Sequence, residues 1–459
     1  MVSIDSSRPK MPVYIAVILF AALFLYLAFP KAGLKIHEIP VGPHDVFYLF
    51  LLLFSLTRVK YWGRVFKGYK TLTILMLVFA FYALLKFGYV YMHRGFLDID
   101  ALVPLLVYPL ILWILLLLNE IYELSWKVLL FIPIAAFAVV AVYAVLQFFL
   151  GIENIMIPGL TYNWTEAQDP RSFLLKNNYY GQYTKIFSTY QNGNVFGVNL
   201  LLFFPLVFEL LYDRSKLKGY LAMAFFITIA LLTASRAVWV GVVFYIFLRF
   251  IIFKIGWKKV TALFPLTYAA SLLLIVDSLR YRANMFLGRG TIPRIINIPG
   301  GERVYRRAGG DRDWSVQEWQ LEPQIENLSN RKESLLKLWE GTFGSWHWEA
   351  ILFGAYGLIS RRRFAIPGEM LYPAIFAFLG LIGLILWFLP ILFSLYNFIQ
   401  RRSDKVMRGV LLGLMTYLLV AAAEGAYWLP PTAFNLWVII GIGWLRLNHS
   451  GRPDPAAAN

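Results

Sequence analysis

The chain has 459 residues, of which 59% are hydrophobic, 17% aromatic and only 15% charged. Water-soluble domains are roughly 45–50% apolar and about 25% charged, so this composition excludes a soluble globular protein. The sequence contains no cysteine, which excludes disulfides, thiolate nucleophiles and cysteine-based metal sites. The formal net charge is +17, and the placement of the basic residues along the chain predicts an orientation.

Apolar stretches long enough to cross roughly 30 Å of hydrocarbon recur along the whole sequence. None shows the alternation over about ten residues that is typical of barrel strands, so we predict an all-α polytopic membrane protein. The first stretch is too long for a signal peptide and lacks a small-residue cleavage site, so we interpret it as an anchor. We predict about twelve transmembrane helices, at residues 12–29, 45–57, 71–90, 101–118, 128–150, 194–212, 220–234, 237–253, 260–276, 371–397, 407–422 and 432–448.

Basic residues are concentrated in alternate connections between these spans, and this pattern predicts the orientation. Short connections rich in Lys and Arg stay in the cytoplasm, so both termini are predicted to be cytoplasmic. The two long connections, residues 151–193 and 277–370, are then extracytoplasmic. The basic connections contain Arg58, Lys60, Arg64, Lys67, Lys70, Arg214, Lys216, Lys218, Lys254, Lys258, Lys259, Arg401, Arg402, Lys405 and Arg408.

Three regions follow from this pattern. Residues 1–276 form a transmembrane bundle of nine spans with the external loop 151–193, residues 277–370 form a large, partly helical loop domain, and residues 371–459 hold spans 10 to 12 and a cytoplasmic tail. The late loop contains twelve Arg, two Lys and eleven acidic residues. Because Arg presents a planar fork of donors that matches phosphate and carboxylate, we expect this loop to bind a phosphorylated or acidic ligand. The alternative is that Arg only keeps the loop soluble.

A helix is predicted within the late loop. Asn330 and Glu333 have the spacing of a capping box. Arg331 then lies in the first turn, where helix-terminal N–H groups also favour anions, and it is a candidate ligand for a phosphate; a surface ion pair is the alternative. An apolar face expected to pack on the membrane mouth or on the other loop is formed by Leu335, Leu336, Trp339 and Phe343.

Two further positions could carry chemistry at the outer ends of the spans. Ser235-Arg236 lies between two closely spaced spans, so Arg236 is predicted either to extend to lipid headgroups or to face a ligand. Glu369 precedes the tenth span, and carboxylates at a membrane edge tend to be functional when they face a cavity. Glu369 is therefore a candidate general base. His347 is the alternative base, since an imidazole of pKa near 6.5 suits proton transfer at neutral pH.

Several of these residues occur along the chain in a characteristic order. Asn192-Gly193-Asn194 precedes the sixth span, where such an Asn/Gly turn is expected to cap the helix. Ser235-Arg236 begins the eighth span, and Asn330-Arg331 is followed by Leu338-Trp339 in the loop. Tyr372 comes next, and Gly380 and Gly383 are expected at the start of a span. This arrangement, over roughly residues 185–390, resembles the O-antigen polymerase and O-antigen ligase superfamily of bacterial envelope glycosyltransferases. The family pattern has Asn-Pro-Asn where Gly193 stands here. Ligases carry histidine and asparagine at the positions of Glu369 and Met370, so the resemblance favours a polymerase.

The resemblance implies a fold of about twelve helices with a large periplasmic loop between spans 9 and 10, in the bacterial inner membrane. It implies a periplasmic site that takes an undecaprenyl-pyrophosphate-linked glycan as donor. Arg236 and Arg331 would bind the pyrophosphate, Glu369 would accept the proton, and no metal or cofactor would be needed. The acceptor would be a glycan for a polymerase or lipid A-core for a ligase. Further substrate contacts are expected from Asn192, Asn194, Ser235, Trp339 and Tyr372.

The other expected partners are the lipid bilayer and a chain-length regulator, and no nucleic acid is expected. Two other functions compete with this hypothesis. One is a metal-dependent transferase of lipid-linked phosphosugars, for which Asp98 and Asp100 would form an Asp-x-Asp pair. The other is a flippase or transporter. Transporters usually show internal repeats and polar residues at mid-membrane, whereas this sequence has no evident repeat and one dominant external loop.

Overall fold

A computed structural model gives the architecture, and its described residues are 9–36, 39–95, 98–122, 124, 126–150, 155–161, 179–180, 183–184, 186–190, 192–233, 235–253, 335–344, 347–355, 370–424, 427 and 430–449. These residues form a bundle of helices with two short antiparallel hairpins, β1–β2 (Leu34–Ile36 with Ile39–Val41) and β3–β4 (Tyr179–Tyr180 with Tyr183–Thr184). The predicted all-α class is confirmed at this level.

The first half of the bundle contains several helices of very different length. A π-helical turn, Val103–Val107, joins the fifth helix to the sixth. The helices are α1 (Val13–Ala28), α2 (Pro43–Leu56), α3 (Val59–Gly68), α4 (Lys70–Arg94), α5 (Ile99–Leu102), α6 (Leu110–Ile121) and α7 (Trp126–Leu150).

The second half contains the helices that surround the candidate site. Residues 335–339 are also helical and lead into a π-helical turn, Glu340–Gly344. The helices are α8 (Gly193–Arg214), α9 (Lys216–Leu232), α10 (Arg236–Phe253), α11 (Trp348–Phe353), α12 (Leu371–Gln400), α13 (Lys405–Ala421) and α14 (Pro430–His449).

Five helical segments within the described residues are long and apolar enough to cross a membrane: Lys70–His93, Val103–Ile121, Val128–Leu150, Gly193–Arg214 and Leu371–Gln400. A sixth is added if α2 and α3, which meet at 91°, are counted as one broken span. These helices support a multi-pass membrane protein. The remaining predicted spans coincide with other helices, except span 260–276, which lies outside the described residues, so the number twelve stays a prediction.

Helices α8 and α13 pack side by side along their length and form the centre of the bundle. Their contact is close because Gly413 faces α8: a Cβ atom at this position would lie 2.1 Å from the carbonyl oxygen of Leu202. Small residues allow such close backbone approach between helices in a membrane. Asp404 fixes the start of α13 by accepting hydrogen bonds from the backbone N–H groups of Val406 and Met407, at 2.9 and 3.1 Å.

One end of the bundle, which we call the basic end, carries the α8–α9 and α12–α13 turns and is held by an ionic network. The carboxylate of Glu209, which is 1% exposed, accepts hydrogen bonds from Arg249 Nε at 3.0 Å and from Arg408 Nε at 2.8 Å. Arg249 also lies 4.2 Å from the centre of the Phe208 ring. The single buried carboxylate therefore joins three helices, α8, α10 and α13.

We predict that Glu209→Gln lowers the stability of the purified protein by about 3 kcal/mol, because two guanidinium groups lose their counter-charge in a buried position. The measurement is the midpoint of thermal aggregation in detergent. Asp213→Asn is the matched control, since Asp213 lies one turn further along α8 and its partner Lys405 is well exposed, so the control should change stability by less than about 1 kcal/mol. Equal effects of the two substitutions would contradict the proposed role of Glu209.

Candidate functional site

The opposite end of the bundle, which we call the mouth, brings together several helix termini. Helices α8, α10 and α12 begin there, and α13 ends there. Five of the candidate residues lie at the neighbouring starts of α8, α10 and α12: Asn192, Asn194, Ser235, Arg236 and Tyr372.

Asn192 and Asn194 have different roles at the start of α8. The side-chain oxygen of Asn192 accepts hydrogen bonds from the backbone N–H groups of Asn194 at 2.8 Å and Val195 at 3.3 Å, which confirms the predicted helix cap. The side chain of Asn194 is not used in the cap. Its Nδ2 donates to Glu424 Oε1 at 3.2 Å, across the mouth to the connection after α13.

Arg236 lies at the first position of α10, next to the start of α8. The two helices are in close contact here, because Val238 packs on Gly197 so tightly that a Cβ atom there would lie 2.3 Å from Val238 Cγ2. Ser235 is buried, and its backbone N–H donates to Thr233 Oγ1 at 3.3 Å. The guanidinium of Arg236 is half-buried, and it forms no hydrogen bond or ion pair with any residue that the structure describes.

Tyr372 connects the start of α12 to the end of α13 that lies at the mouth. Its hydroxyl donates a hydrogen bond to the carbonyl oxygen of Leu418. The same end of α13 also contacts α10, since a Cβ atom at Gly241 would lie 2.7 Å from Val420 Cγ2. The mouth end of α13 is therefore the common neighbour of the groups contributed by α8, α10 and α12.

The chain that enters α8 is held rigidly beneath the mouth. Gln147 of α7 binds both sides of Ser188, accepting from its N–H at 2.7 Å and donating to its carbonyl oxygen at 2.8 Å. Ser188 has a φ of 52°, a left-handed conformation that is strained for a non-glycine residue. Thr189 and Tyr190 donate to the carbonyl oxygens of Ala28 and Leu27 at the end of α1. These contacts fix the position of Asn192 and Asn194.

The late loop touches the bundle at a break in α12. Gly380 has φ 71° and ψ −172° within that helix, and Gly354 has φ 90°. The two backbones meet directly, because a Cβ atom at Gly380 would lie 2.4 Å from the N atom of Gly354. Lys86 Nζ of α4 donates to the carbonyl oxygen of Gly354 at 3.1 Å. The docked segment, residues 347–355, is thereby attached to helices α4 and α12 of the bundle. Gly380, predicted beside a helix start, instead lies inside α12 and interrupts it.

The predicted apolar face of the loop helix packs on the bundle only in part, through Phe343. Trp339 is 59% exposed and Leu336 47%, whereas the buried residues are Leu338 and Thr342. Leu338 is buried because it packs in a small apolar cluster with Ile351 and Phe376, and this leaves Leu336 and Trp339 on the exposed side of the helix. Trp339 stacks on Phe343, with 5.0 Å between ring centroids, and Phe343 in turn stacks on Phe376 at 5.7 Å. Trp339 therefore presents an exposed ring on a firm support.

His347 lies immediately before α11, and its side chain is exposed. Its backbone N–H donates to the carbonyl oxygen of Thr342 at 3.1 Å, while its ring forms no hydrogen bond with the described residues. Arg331 and Glu369 lie outside the described residues, so the predicted convergence of these two with Arg236 stays a prediction.

Glu424 was missed by sequence reasoning. It belongs to no motif, but it is the only charged residue between Arg408 and Arg446, a stretch that contains two apolar helices. A lone carboxylate in such surroundings marks a functional position by default, and this could have identified it.

Comparison of the chain with protein-family models returned no match, and comparison with curated protein sequences returned none either.

We predict that Gly380→Ala detaches the docked segment, because the added Cβ would overlap backbone atoms and the left-handed φ would cost roughly 1–2 kcal/mol. Since the chain lacks cysteine, Ala355→Cys introduces a single reporter at a fully buried position. The thiol should resist maleimide in the otherwise unchanged chain and react at least about tenfold faster when Gly380→Ala is added. Gly88→Ala, at a position in α4 with open space around it, is the control and should leave the thiol protected. Protection that persists with Gly380→Ala would disprove the docking role of this contact.

Proposed function

We propose that the chain is a membrane glycosyltransferase that polymerises oligosaccharide repeat units carried on undecaprenyl pyrophosphate. The product is an O-antigen or exopolysaccharide, made at the periplasmic face of the bacterial inner membrane without a metal and with inversion at the anomeric carbon. The proposal is supported by the resemblance over residues 185–390 and by the polar groups gathered at one end of an apolar bundle.

Arg236 is the observation that carries this proposal. A charged group withdrawn from water is costly unless it is paired, and Arg236 is half-buried with no partner among the described residues. It is therefore suited to an anionic ligand that arrives from outside the protein. A pyrophosphate matches the planar fork of a guanidinium, and Arg331 is the second expected ligand for it.

The proposed reaction is a single displacement. The acceptor hydroxyl oxygen attacks the anomeric carbon of the donor glycan, and the bond from that carbon to the pyrophosphate oxygen breaks. The electron pair leaves with undecaprenyl pyrophosphate, whose increasing negative charge is stabilised by Arg236 and Arg331. The hydroxyl proton passes to a base within hydrogen-bond reach. The products are a glycan extended by one glycosidic bond and undecaprenyl pyrophosphate.

Glu369 is the base that we propose first, and His347 is the alternative. Glu424 adds a third candidate, because its hydrogen bond to Asn194 holds a carboxylate at the mouth beside the helix that carries Arg236. The exposed ring of Trp339 can stack on a sugar face, and Asn192, Ser235 and Tyr372 complete the proposed set of substrate contacts. A ligase that transfers the glycan to lipid A-core would use the same groups with a different acceptor.

A transporter, such as a polysaccharide flippase, is the second candidate function, and two observations favour it. Helix α12 is broken at Gly380, and discontinuous helices are typical of transporter sites. Fully buried polar side chains also join two helices: Asn199 donates to Thr432 Oγ1 at 2.7 Å and accepts from Asn435 Nδ2 at 2.8 Å. Polar groups inside an apolar bundle often mark a substrate path.

We predict that Arg236→Ala leaves the protein in the membrane but removes the polymer ladder from a complemented deletion strain. Loss of one preorganised charge that stabilises a leaving group costs about 100-fold to 1,000-fold in rate. Glu369→Gln should abolish the ladder in the same way. Arg402→Ala, at an exposed position of the basic end, is the matched control for Arg236→Ala and should give a normal ladder. Full chain length in both site variants would refute the proposed site.

We further predict that a deletion strain accumulates single repeat units on undecaprenyl pyrophosphate at the periplasmic face, because a polymerase joins those units. Analysis of the lipid extract, with sidedness tested by a lectin or enzyme that cannot cross the membrane, provides the measurement. Long lipid-linked chains that stay unattached would instead indicate a ligase. Single units retained at the cytoplasmic face would indicate a flippase.

A further inference from the structure

Helix α3 is a basic amphipathic helix that lies across the axis of its neighbour. It follows α2 after a bend of 91°, although the sequence predicts only a basic connection at these residues. Tyr69, directly after α3, packs edge-on against Trp444 at 5.8 Å and accepts a hydrogen bond from Asn448. Trp444 and Asn448 belong to α14, and Arg446 of that helix pairs with Asp404 at the start of α13. Because this start lies at the basic end of the bundle, α3 lies there too.

The two faces of α3 differ sharply. Lys60, Arg64 and Lys67 follow the spacing i, i+4 and i+7, so they share one side of the helix, and all three are exposed. The other side packs on the bundle: Val65 is 1% exposed, and the ring of Phe66 lies 5.8 Å from that of Trp113 in α6. A short helix with this pattern, lying across the axis of its apolar neighbour, is typical of the interface between hydrocarbon and headgroups.

The positive charges of α3 are not matched by any carboxylate in the part of the chain that the structure describes. No acidic residue occurs between Asp45 and Asp98, and no described carboxylate pairs with Lys60, Arg64 or Lys67. Elsewhere at the basic end, Arg249, Lys405, Arg408 and Arg446 all pair with carboxylates.

Arg58, at the bend before α3, forms no hydrogen bond or ion pair with the described residues. Its guanidinium lies 4.9 Å from the centre of the Phe54 ring, and its buried Nε has no acceptor among those residues. The charges of this segment are therefore available to anions from outside the protein.

We propose that α3 is a binding site for anionic phospholipid headgroups, with Lys60, Arg64 and Lys67 contacting lipid phosphates while its apolar side rests on the bundle. Each Lys or Arg near a membrane surface strengthens attraction to anionic lipid, and three on one face act together. Zwitterionic lipid offers no net charge to match them. The site is independent of the function proposed for the mouth, because it lies at the other end of the bundle.

The test uses the full chain with one reporter on α3. Gly63→Cys introduces the only thiol, at a position with open space around it, and the thiol is labelled with a bimane fluorophore. The protein is reconstituted into vesicles of phosphatidylcholine in which a rising fraction is replaced by brominated phosphatidylglycerol or brominated phosphatidylcholine. The fraction of brominated lipid that quenches half of the bimane fluorescence should be at least about threefold lower for phosphatidylglycerol than for phosphatidylcholine. This preference should be lost in 1 M NaCl, where charges are screened beyond roughly 3 Å.

The triple variant Lys60→Gln/Arg64→Gln/Lys67→Gln should reduce the preference to less than about 1.5-fold. The matched control Lys218→Gln/Arg401→Gln/Arg402→Gln removes the same number of exposed charges from the same end and should retain the threefold preference. Equal quenching by the two lipids in the otherwise unchanged chain overturns the proposal. So does an equal loss in the control, which would make the effect one of net charge, or an absence of quenching, which would place α3 away from lipid.

Discussion

The close packing of α13 on α8 is the contact on which both ends of the molecule depend. Hydrocarbon offers no partner for a polar group, so each polar side chain must be matched within the bundle or lie at its ends. At the basic end, the start of α13 supplies Arg408 to the buried carboxylate of Glu209. At the mouth, its last turn binds Tyr372, and the connection that follows supplies Glu424 to Asn194. Any change in the register between the two helices would therefore disturb both ends.

The two ends of the bundle differ in how their charged side chains are paired. At the basic end, Glu209 pairs with two arginines, and the exposed charges of α3 are the ones that we propose the bilayer matches. At the mouth, Arg236 stays half-buried without a described partner while its neighbours are fixed by hydrogen bonds to backbone and to Glu424. A rigid frame around one unmatched cation is suited to an anionic ligand that enters and leaves.

The helices could be predicted from the sequence because their apolar runs are long, and the Asn192 cap followed from a local pattern of side-chain and backbone groups. Features set by tertiary contacts could not be predicted. The 91° bend before α3 depends on packing against α6, and the burial of Leu338 in place of Trp339 depends on Phe376 in a distant segment. Glu424 was missed because a single residue carries no periodicity, and only its partner Asn194 gives it meaning. Arg331 and Glu369 lie outside the described residues, so their roles in the site stay predictions from the sequence.

The crossing of Gly354 and Gly380 has a consequence for sequence variation. The contact joins backbone to backbone, so neither position can gain a Cβ without pushing the two segments apart. Ile351 and Ala355 are buried beside it, so replacements that keep the segment attached are confined to its exposed side chains, such as His347 and Glu349. Variation at those exposed positions can change the surface of the segment while the two glycines keep it anchored.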